Sequence, residues 1–518
     1  MNIYRDNPDL LWTIEKSKVL SHVYQGDATI VYALLDSLGE LLGNEVLPLR
    51  LQNDREGCSL KDAVITRPEG IVQSYKTLAN AGFCSATVSE AHGGPGLPYV
   101  VNMAMYELIA RADASLMTML GLTSGVAETI EFFGTPELKQ ELIPKLLSGE
   151  YSGAMCLTEP NAGSDLRKLK PIAEKTPTGT RITGEKIFIS NCDADVHVVL
   201  AQDAGTDKQS MYAVLKNDHV HVQRLEEKCG LHASATGTIL YEACPAQLLG
   251  EKEKGLSHMF RLMGLARLGV AAQALGVAQE AATRAQEYAA QRKQFDKPIK
   301  DLPGLKPVLE SMELDLIAGR ALLYNAAKDL DLYQKNPDDT KKHRMRRNIF
   351  LAKLFTTEQG YAIADNALQV FGGTGYIKEQ GIEQLLRDSR VFRIYEGTSQ
   401  IQELMFVQSF FKSGIPSLLK GYARTIPHSP NRLKRAVQHM EHALYTTALR
   451  LGMKNNPDLV QYCSHALATI AADAYAAKIL YTQSQQDKQR TVVERFVDYA
   501  SPRMHAHQEF IRRAVKRK

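Results

Sequence analysis

The hydrophobic period of this sequence changes twice along the chain. From about residue 27 to residue 149, apolar side chains recur at spacings of three and four, as in TIVYALLDSLGELLG, which predicts amphipathic helices. From 178 to 250 the period is two, as in RITGEKIFIS and VHVVLAQ, with Gly, Asn and Asp between the runs, which predicts a small antiparallel sheet. From residue 256 the helical period returns in long alanine-rich segments. The chain is therefore predicted to be mainly α with a central small β domain.

Length and punctuation predict how this chain is divided. A chain of 518 residues is too long for one simple core. Residues 412–432 collect Pro, Gly and Ser, which indicates a linker before further helical segments. The predicted units are an N-terminal helical domain over 27–155, a β domain over 156–255, a C-terminal helical bundle domain over 256–411 and a basic helical extension over 431–518.

The C-terminal residues differ in charge from the rest. Residues 415–518 carry 17 Lys and Arg against 7 Asp and Glu, whereas the net charge of the whole chain is only +4. A solvated basic helical surface explains this asymmetry as well as a surface that meets a separate partner does. The partners to weigh are an anionic membrane surface and, less favoured, a nucleic acid.

Cysteine use and the N-terminal pattern bear on location. The seven cysteines form no CxxC pair and leave an odd number, which fits a reducing compartment better than a disulfide framework. The first twenty residues contain acidic side chains and no long apolar run, so neither a secretory signal nor a transit peptide is indicated. No segment holds the roughly 18 uninterrupted apolar residues of a membrane span. We expect a cytoplasmic protein, at most peripheral to the inner face of the membrane, without a metal site.

Two glycine-containing clusters have two interpretations each. TEPNAGSD, residues 158–165, has the composition of a turn, but Thr158 and Ser164 supply hydroxyls to a cofactor and Gly163 permits close approach of backbone N–H groups. FGGTGY, residues 371–376, follows an apolar helical run and is either a helix-terminating turn or a backbone nest for a phosphate or a ribose. It lacks the strand-turn-helix context and the spacing of a dinucleotide fingerprint.

Two charged residues are also ambiguous when considered alone. Glu396, in RIYEGTSQIQ, stands directly before a glycine, where surface turn residues are common. It would serve as a base only if its apolar neighbours desolvate it and raise its pKa; these neighbours are Ile394, Tyr395 and Ile401. Arg292, in RKQF, either caps the carbonyl end of a helix or pairs with a phosphate, for which its planar fork is suited.

The order of seven sequence blocks resembles the acyl-CoA dehydrogenase family. The blocks are TEPNAGSD, GEKIFISN, EKCGLHAS, ARLGVAAQALG, YAAQRKQFDKPI, LQVFGGTGY and RDSRVFRIYEGTSQIQ, and the resemblance spans roughly residues 80–410. It implies an N-terminal helical domain, an antiparallel β domain and a C-terminal four-helix bundle. The extra C-terminal helices are similar in position to those of long- and very-long-chain members, of which the very-long-chain members associate with membranes. The resemblance also implies FAD as cofactor, an acyl-CoA as substrate and an electron-transferring flavoprotein as electron acceptor.

Matching positions imply the FAD contacts. The loop that contacts the flavin ring and pyrophosphate is matched by Leu157, Thr158, Gly163 and Ser164. Phe188 and Ser190 match the residues beside the isoalloxazine; the family often has Trp at the first of these places, and a Phe also packs against the ring edge. Five residues match positions that contact the adenosine diphosphate portion of an FAD bound to a neighbouring subunit: Arg292, Phe295, Gln369, Gly372 and Gly373. Thr398 and Gln400 match the remaining contacts of that FAD. A homo-oligomer, dimer or tetramer, is therefore implied.

The resemblance assigns the catalytic base to Glu396. Some members use instead a Glu directly before the arginine of the ARLGV helix, and that place is Ala266 here. The residues assigned to substrate binding are Arg267, Ser164 and Gly397. In the implied reaction Glu396 takes the α-proton of a fatty acyl-CoA, and the flavin takes the β-hydride to give the trans-2-enoyl-CoA of fatty acid β-oxidation. The Glu396 backbone N–H and a flavin ribityl hydroxyl stabilise the enolate.

Two other functions stay open at this point. An acyl-CoA oxidase on the same fold would reoxidise the flavin with oxygen. A family member recruited to bind a nucleic acid or a protein partner would use RLKR at 432–435 and the terminal RRAVKRK, but the intact IYEGT segment speaks against a purely binding role. Acyl chain length is the main unknown. The positions that match the base of the pocket in medium-chain members hold Met117 and Gly121 here, and this resemblance favours medium to long chains over short ones.

Overall fold

The structure, a computed structural model, describes residues 1–412, 414–484 and 490–517. Its N-terminal part is helical, as the spacing of apolar residues predicts, and includes a short hairpin. Asp113 separates two of the helices and caps the second, because its carboxylate accepts hydrogen bonds from the backbone N–H groups of Ser115 and Leu116. The elements of this part are α1 (Pro8–Leu11), α2 (Ala28–Leu41), α3 (Arg50–Glu56), β1 (Ser59–Lys61), β2 (Val64–Thr66), α4 (Glu69–Asn80), α5 (Tyr99–Ala112), α6 (Ala114–Phe133) and α7 (Pro136–Leu147).

The central strands form a closed sheet. They are β3 (Gly153–Cys156), β4 (Ile172–Thr176), β5 (Gly179–Ser190), β6 (Val196–Asp203), β7 (Gln209–Leu215), β8 (Val220–Leu225) and β9 (Thr236–Leu249). Neighbours along the sheet are β3, β6, β4, β5, β9 and β7, with β8 against β9, and β7 pairs back with β6. That last ladder closes the sheet into a barrel. Most ladders are antiparallel as predicted, while β3 and β4 each run parallel to β6.

The remaining chain is helical apart from one short hairpin among the described residues. Its elements are α8 (Gly255–Gln291), β10 (Lys293–Gln294), β11 (Lys297–Pro298), α9 (Lys306–Lys335), α10 (Asp339–Phe371), α11 (Ile382–Phe392), α12 (Ser399–Phe411), α13 (Gly414–Arg424), α14 (Arg432–Gly452), α15 (Pro457–Tyr462), α16 (Ser464–Ser484) and α17 (Arg490–Arg517). The predicted fold class, helices around a central small β domain, is confirmed.

Helix α13 occupies part of the segment that was expected to be a linker. Its proline, Pro416, stands in the first turn, where a missing backbone N–H does not interrupt the helix. Leu418 is 2% exposed, and Gly421 is buried with the ring of Tyr445 directly against it. The glycine and the proline of this segment therefore permit close helix packing instead of an irregular connection.

The chain divides into two compact units. Unit 1 comprises residues 1–3 and 37–269, and unit 2 comprises residues 4–36 and 270–518. The bounds of the four domains that the sequence predicts stay a prediction.

The segment 4–36 belongs with the C-terminal helices of unit 2. The ammonium of Lys335, on α9, donates a hydrogen bond to the carbonyl oxygen of Val23. Arg320, also on α9, lies 3.7 Å from the carboxylate of Asp9. Long-range polar contacts thus hold the N-terminal segment to a helix that is synthesised some three hundred residues later.

Helix α8 combines unusual length with apolar composition. Among the described residues it is the only helix long and apolar enough to cross a membrane. Within the protein, 72% of its most apolar window is buried. The apolar surface of α8 is therefore used in packing, as in the core helix of a large domain.

Helices α14–α17, named here the C-terminal extension, pack within unit 2. Helix α16 lies against α9, α12, α14 and α17. The guanidinium of Arg503 pairs with the fully buried carboxylate of Asp473 over 2.5 Å and 3.0 Å, and the hydroxyl of Tyr499 donates to Asp315 over 2.8 Å. Burial raises the pKa of Asp315 to about 6, although Arg503 opposes this shift. Because Arg495 also pairs with two glutamates of α9, part of the positive charge of the extension is neutralised internally.

Candidate active site

The loop after β3 is anchored to β5 in unit 1. The backbone N–H of Ile187 donates to the carbonyl oxygen of Thr158 over 2.8 Å. Glu159 and Ala162 exchange two backbone hydrogen bonds of 3.1 Å and 3.2 Å, which close a tight turn between them. Leu157 is buried, whereas Thr158 is half-buried. The first half of the TEPNAGSD segment is therefore a fixed turn, with one hydroxyl residue at its accessible side.

The second half of this loop is open. Gly163 and Ser164 are exposed, and a Cβ at position 163 would meet no atom within 4 Å. Asp165 then caps the short 3₁₀ helix Leu166–Lys168 by accepting the backbone N–H of Arg167. The backbone at 163 and 164 thus has room for the close approach of a phosphate or a ring, and contact with a cofactor at this place stays a prediction.

A buried ion pair below this loop was not found by sequence reasoning. The ammonium of Lys186 lies 2.6 Å from the Glu159 carboxylate and 3.0 Å from the carbonyl oxygen of Leu157. Lys186 is fully buried and the Glu159 side chain is 4% exposed. The other carboxylate oxygen of Glu159 accepts the backbone N–H of Lys170 over 2.8 Å. The period-two pattern of RITGEKIFIS contained one signal, since it places Lys186 on the same inward face as Ile182.

Phe188 leaves that pattern because β5 contains a bulge. The register between β5 and β9 shifts between Lys186 and Ile189. Phe188 has φ +57°, a left-handed conformation that is unusual for an aromatic residue, and 60% of its surface is exposed. Ser190, at the end of the strand, is half-buried with its hydroxyl 3.3 Å from that of Thr236. The bulge therefore turns the Phe188 ring out of the barrel, where a ligand can stack on it.

Four other residues that the sequence singled out, all in unit 1, lie on helices. Arg267 and Ala266 are on α8, and Arg267 is 6% exposed. Met117 and Gly121, the predicted chain-length positions, lie on α6, where the Met117 methyl is 3.2 Å from the place of a Cβ on Gly121. The ring of Tyr106, on α5, approaches the same glycine. Met117 and Tyr106 therefore occupy the space that this glycine leaves.

Glu396 lies in a strained turn between α11 and α12 of unit 2. Its φ is +55°, and Gly397 follows with φ +91°. A left-handed glutamate costs energy and persists only where its surroundings impose it. Gln402 supplies part of that restraint, because its side-chain amide donates to the carbonyl oxygens of Glu396 over 3.1 Å and of Gly397 over 2.9 Å. The fully buried Lys353, on α10, donates to the Gly397 carbonyl oxygen over 2.8 Å.

The ends of this turn are also fixed. Arg393 forms an ion pair with Glu358 at 2.6 Å and 2.9 Å, and the hydroxyl of Ser399 donates to the same carboxylate. The backbone N–H of Ser399 donates to the Arg393 carbonyl oxygen over 3.0 Å, which closes the turn. Sequence reasoning did not identify Glu358, because nothing in the sequence relates it to a turn 35 residues later.

The three apolar neighbours proposed to desolvate Glu396 behave differently. Ile394 is 49% exposed and Ile401 is half-buried. The hydroxyl of Tyr395 donates to the side-chain oxygen of Gln273 on α8. Burial, and then the charge of the Glu396 carboxylate, raises the pKa of Tyr395 well above its usual value. Tyr395 therefore stays a neutral donor beside Glu396, while Ile394 does not enclose it.

Most residues predicted to contact the FAD of a neighbouring subunit share one exposed end of unit 2. Arg292 follows α8, and Gln369, Gly372 and Gly373 are at the end of α10. The two helix ends are joined by stacked rings of Tyr288 and Phe371, with centroids 4.2 Å apart. All four predicted residues are exposed, and a Cβ on either glycine would meet no atom within 4 Å.

Phe295 is displayed next to this surface by the β10–β11 hairpin. Phe295 and Asp296 have φ +52° and +59°, as the two central residues of a type I′ turn require. The Phe295 ring is 83% exposed, and Tyr376, after α10, is 81% exposed. Thr398 caps α12 by accepting the backbone N–H of Ile401, and Gln400 is exposed in the first turn of that helix. The roles of these residues stay predictions.

No metal site is evident in the described ranges, where no three His, Cys, Asp or Glu side chains are grouped to hold an ion. Unit 1 has the exposed ring of Phe188 on left-handed backbone and open space at Gly163, and unit 2 separately has the exposed ring of Phe295 and open space at Gly372 and Gly373. Flat apolar rings and accessible backbone N–H groups suit a planar ring system that carries phosphates. The residues present therefore fit a flavin dinucleotide.

Comparisons with known proteins agree with this arrangement. Family models match over residues 33–150, 154–244 and 253–410; they describe the N-terminal, middle and C-terminal domains of acyl-CoA dehydrogenase. The chain is similar to the 3-methylmercaptopropionyl-CoA dehydrogenase of Ruegeria pomeroyi, 33% identical over 75% of this chain and 71% of that protein. It is 35% identical to an acyl-CoA dehydrogenase of Bacillus subtilis over 64% of this chain and 88% of that protein.

A solved structure shares the fold over nearly the whole length. It is an acyl-CoA dehydrogenase complexed with FAD from Bacillus anthracis, with a TM-score of 0.85 and 24% identity. The superposition covers 97% of this chain and 92% of that chain. The fold likeness therefore includes the C-terminal extension.

Proposed function

Because this chain belongs to the acyl-CoA dehydrogenase family, whose members are FAD-dependent oxidoreductases acting on CH–CH bonds, we propose that it converts a fatty acyl-CoA of medium to long chain into the trans-2-enoyl-CoA. The observation that carries this proposal is the strained turn at Glu396. Hydrogen bonds from Gln402 and Lys353 to the turn hold the backbone of Glu396 in a left-handed conformation. Strain of this kind is typical of a side chain whose direction matters for chemistry.

In this proposal, each of the two open surfaces contacts a different part of an FAD molecule. Leu157, Thr158, Gly163 and Ser164 would hold the flavin and its pyrophosphate, with Phe188 and Ser190 beside the ring. Arg292, Phe295, Gln369, Gly372 and Gly373 would hold the adenosine diphosphate portion belonging to a second copy of the chain, and Thr398 and Gln400 would complete the contacts. Bound FAD supplies the acceptor for the hydride that leaves the β-carbon.

Glu396 takes the α-proton in this proposal. Its carboxylate accepts the proton as the carbon–carbon double bond forms, and its backbone N–H donates to the thioester oxygen, on which negative charge develops. The turn restraints keep both groups in one direction, so little reorganisation is needed when the proton moves. Tyr395 stays protonated beside the carboxylate and adds no competing base. At the place where some family members carry the base, this chain has Ala266, which cannot accept a proton, so Glu396 is the proposed base.

A substrate panel tests this proposal. We expect anaerobic addition of acyl-CoA to bleach the flavin absorbance, with octanoyl-CoA to palmitoyl-CoA acting at least tenfold faster than butyryl-CoA. The narrow space around Gly121, which Met117 and Tyr106 share, allows adjustment because a methionine side chain is flexible. A protein that binds FAD but is bleached by no acyl-CoA in this range would contradict the proposal. Reoxidation of the bleached enzyme by air, compared with an electron-transferring flavoprotein, separates an oxidase from a dehydrogenase.

Assembly follows from the shared cofactor surface. Exposure of the aromatic side chains of Phe295 and Tyr376 to water at this end of unit 2 is energetically unfavourable for an isolated chain. We propose that this end meets a second copy, so that the protein is a homo-oligomer. Sedimentation of the FAD-loaded protein at micromolar concentration tests this, and a stable monomer with full FAD content would overturn it.

Peripheral membrane contact is a second candidate role, carried by a different surface. Leu419, on α13, and Ile426, two residues after its end, are 52% and 48% exposed. The same stretch of chain carries exposed basic side chains, which are Lys420, Arg424, Arg432, Lys434 and Arg435. Apolar side chains among cations are suited to an anionic lipid surface. We propose a cytoplasmic protein that touches membranes here. Flotation with phosphatidylserine vesicles should be lost on Lys420→Glu with Arg424→Glu, while the same changes leave flavin bleaching intact; equal flotation would dispose of the role.

A further inference from the structure

The proposed flavin loop is closed at both ends by a single buried side chain. Glu159 sits near the start of the loop, and its carboxylate accepts both the ammonium of Lys186 and the backbone N–H of Lys170, where the loop ends. The ammonium of Lys186 in turn donates to the carbonyl oxygen of Leu157. Between these anchors the loop carries the exposed residues Gly163 and Ser164. The position of the open backbone thus depends on one ion pair inside the barrel.

The same lysine stands two residues before Phe188 on β5. The strand ladder ends its regular register at Lys186 and resumes at Ile189, so the bulge that turns Phe188 outward begins at the anchored lysine. The backbone N–H of Ile187, between them, donates to the Thr158 carbonyl oxygen. The loop and the exposed ring are therefore tied to each other through two adjacent residues of one strand.

We propose that the Lys186–Glu159 pair is a positioning device for FAD: it sets the separation between the Thr158 turn and the Phe188 ring, and thereby the affinity and the environment of the flavin. Neither side chain touches the cofactor in this arrangement, since Lys186 is fully buried and Glu159 is 4% exposed. This inference rests on the proposed function, because it assumes that this surface of unit 1 holds a flavin.

A buried ion pair has a competing explanation as a purely structural feature. Removing one partner leaves an uncompensated buried charge and destabilises any barrel. Replacing both partners with apolar side chains of similar volume often restores stability. The two explanations therefore differ in the double variant. If the pair is purely structural, the double variant binds FAD as wild type does. If the pair positions the loop, FAD binding stays weak, because the carbonyl oxygen of Leu157 and the N–H of Lys170 have lost their partners.

The experiment compares three variants as purified full-length apoproteins. Lys186→Met is expected to lower Tm and to weaken FAD binding at least tenfold. Lys186→Met with Glu159→Leu is expected to recover most of the Tm but not the affinity, and to shift the visible absorption and circular dichroism of the bound flavin. Arg503→Met removes the guanidinium that forms two hydrogen bonds with the buried Asp473 of unit 2. This variant is the control for loss of a buried pair and should keep the wild-type Kd for FAD.

The outcomes separate this inference from the proposed function. Wild-type apoprotein that takes up no FAD contradicts the proposed function itself. Wild-type protein that binds FAD, with a double variant that regains both the Tm and the wild-type Kd and flavin spectrum, overturns the positioning role alone. If Lys186→Met does not fold, the double variant and Glu159→Gln give the comparison. The Gln side chain has one acceptor oxygen for two donors, so either the Lys186 ammonium or the Lys170 N–H loses its partner, and FAD binding should weaken at least tenfold with a shifted flavin spectrum. A wild-type Kd and flavin spectrum in Glu159→Gln would overturn the positioning role as well.

Discussion

The buried ammonium of Lys353 holds the carbonyl oxygen of Gly397 over 2.8 Å, so a side chain on α10 fixes the residue that follows the proposed base. Gln402 donates to the same carbonyl oxygen from α12. Two donors on one acceptor leave this peptide group little freedom to rotate. The direction of the Glu396 carboxylate is therefore set by residues that have no part in the chemistry.

Replacing the proposed base separates chemistry from binding. Glu396→Gln should fold and bind FAD and acyl-CoA, because Gln keeps the shape and hydrogen-bonding reach of Glu, but it cannot accept the proton. We expect anaerobic flavin bleaching by substrate to slow by a factor of about 100 to 10,000. Stopped-flow absorbance measures this rate. Glu383→Gln, which removes a carboxylate paired with Arg387 on α11, is the control and should bleach normally; a wild-type rate in Glu396→Gln would mean that another base acts.

Loosening the turn should impair the reaction without removing the base. Lys353→Met deletes a charge-assisted hydrogen bond and should lower the free energy of unfolding by roughly 1.5 to 3 kcal/mol. The bleaching rate is expected to fall at least tenfold at saturating substrate while the Kd for FAD stays unchanged. Thr357→Val, which removes a hydrogen bond from the same helix, is the control and should leave the rate intact. A Lys353→Met enzyme of wild-type rate would show that Gln402 alone holds the turn.

A histidine inside the barrel makes unit 1 sensitive to mild acid. Burial lowers the pKa of His197 to about 4, and its Nδ1 lies 2.9 Å from the Tyr241 hydroxyl. Between pH 6.5 and 4 the unfolded chain binds a proton on this residue and the folded chain does not, so stability is lost as the pH falls through that window. The full effect is on the order of 3 kcal/mol. Denaturant titrations at pH 7 and pH 5 should show a smaller loss for His197→Gln than for wild type, and parallel losses would refute this origin.

Arg292 tests whether the exposed end of unit 2 holds a phosphate. Arg292→Ala should raise the Kd for FAD at least tenfold and reduce the oligomer fraction of the apoprotein less strongly, because a desolvated phosphate loses its bidentate partner. Lys293→Ala, one residue later and also exposed, is the matched control and should bind FAD as wild type does. Isothermal titration calorimetry measures the Kd for FAD of each variant. If the two substitutions raise this Kd equally, only a general charge effect is indicated.

The large-scale fold was accessible from the sequence because it depends on local periods. The change from a period of 3.6 to a period of two predicted both the helices and the barrel strands. The linker interpretation of 412–432 failed because Pro416 and Gly421 were taken as breakers, whereas the first falls in an N-terminal turn and the second accepts the Tyr445 ring. Composition alone does not distinguish a breaker from a close-packing position.

The sequence assigned candidate site residues only within the blocks that carry the family resemblance, and their roles stay predictions. The outward ring of Phe188 depends on a bulge, and period two would have placed it inward. Lys186 and Lys353 were missed because their partners, Glu159 and Gly397, lie 27 and 44 residues away, and nothing local marks such a pairing. Arg503 was counted as surface charge although it pairs with buried Asp473.

The assignment of residues 4–36 to unit 2 has a consequence for how the chain is made. These residues are translated before the rest of unit 2, and the helix that holds them through Lys335 and Arg320 follows some three hundred residues later. At roughly 5 to 20 residues per second the delay is about 15 to 60 seconds. All of unit 1 is translated and can fold during that interval. During that interval the segment 4–36 lacks the helix that holds it in the folded protein, so it is accessible to proteases and chaperones until α9 has been synthesised.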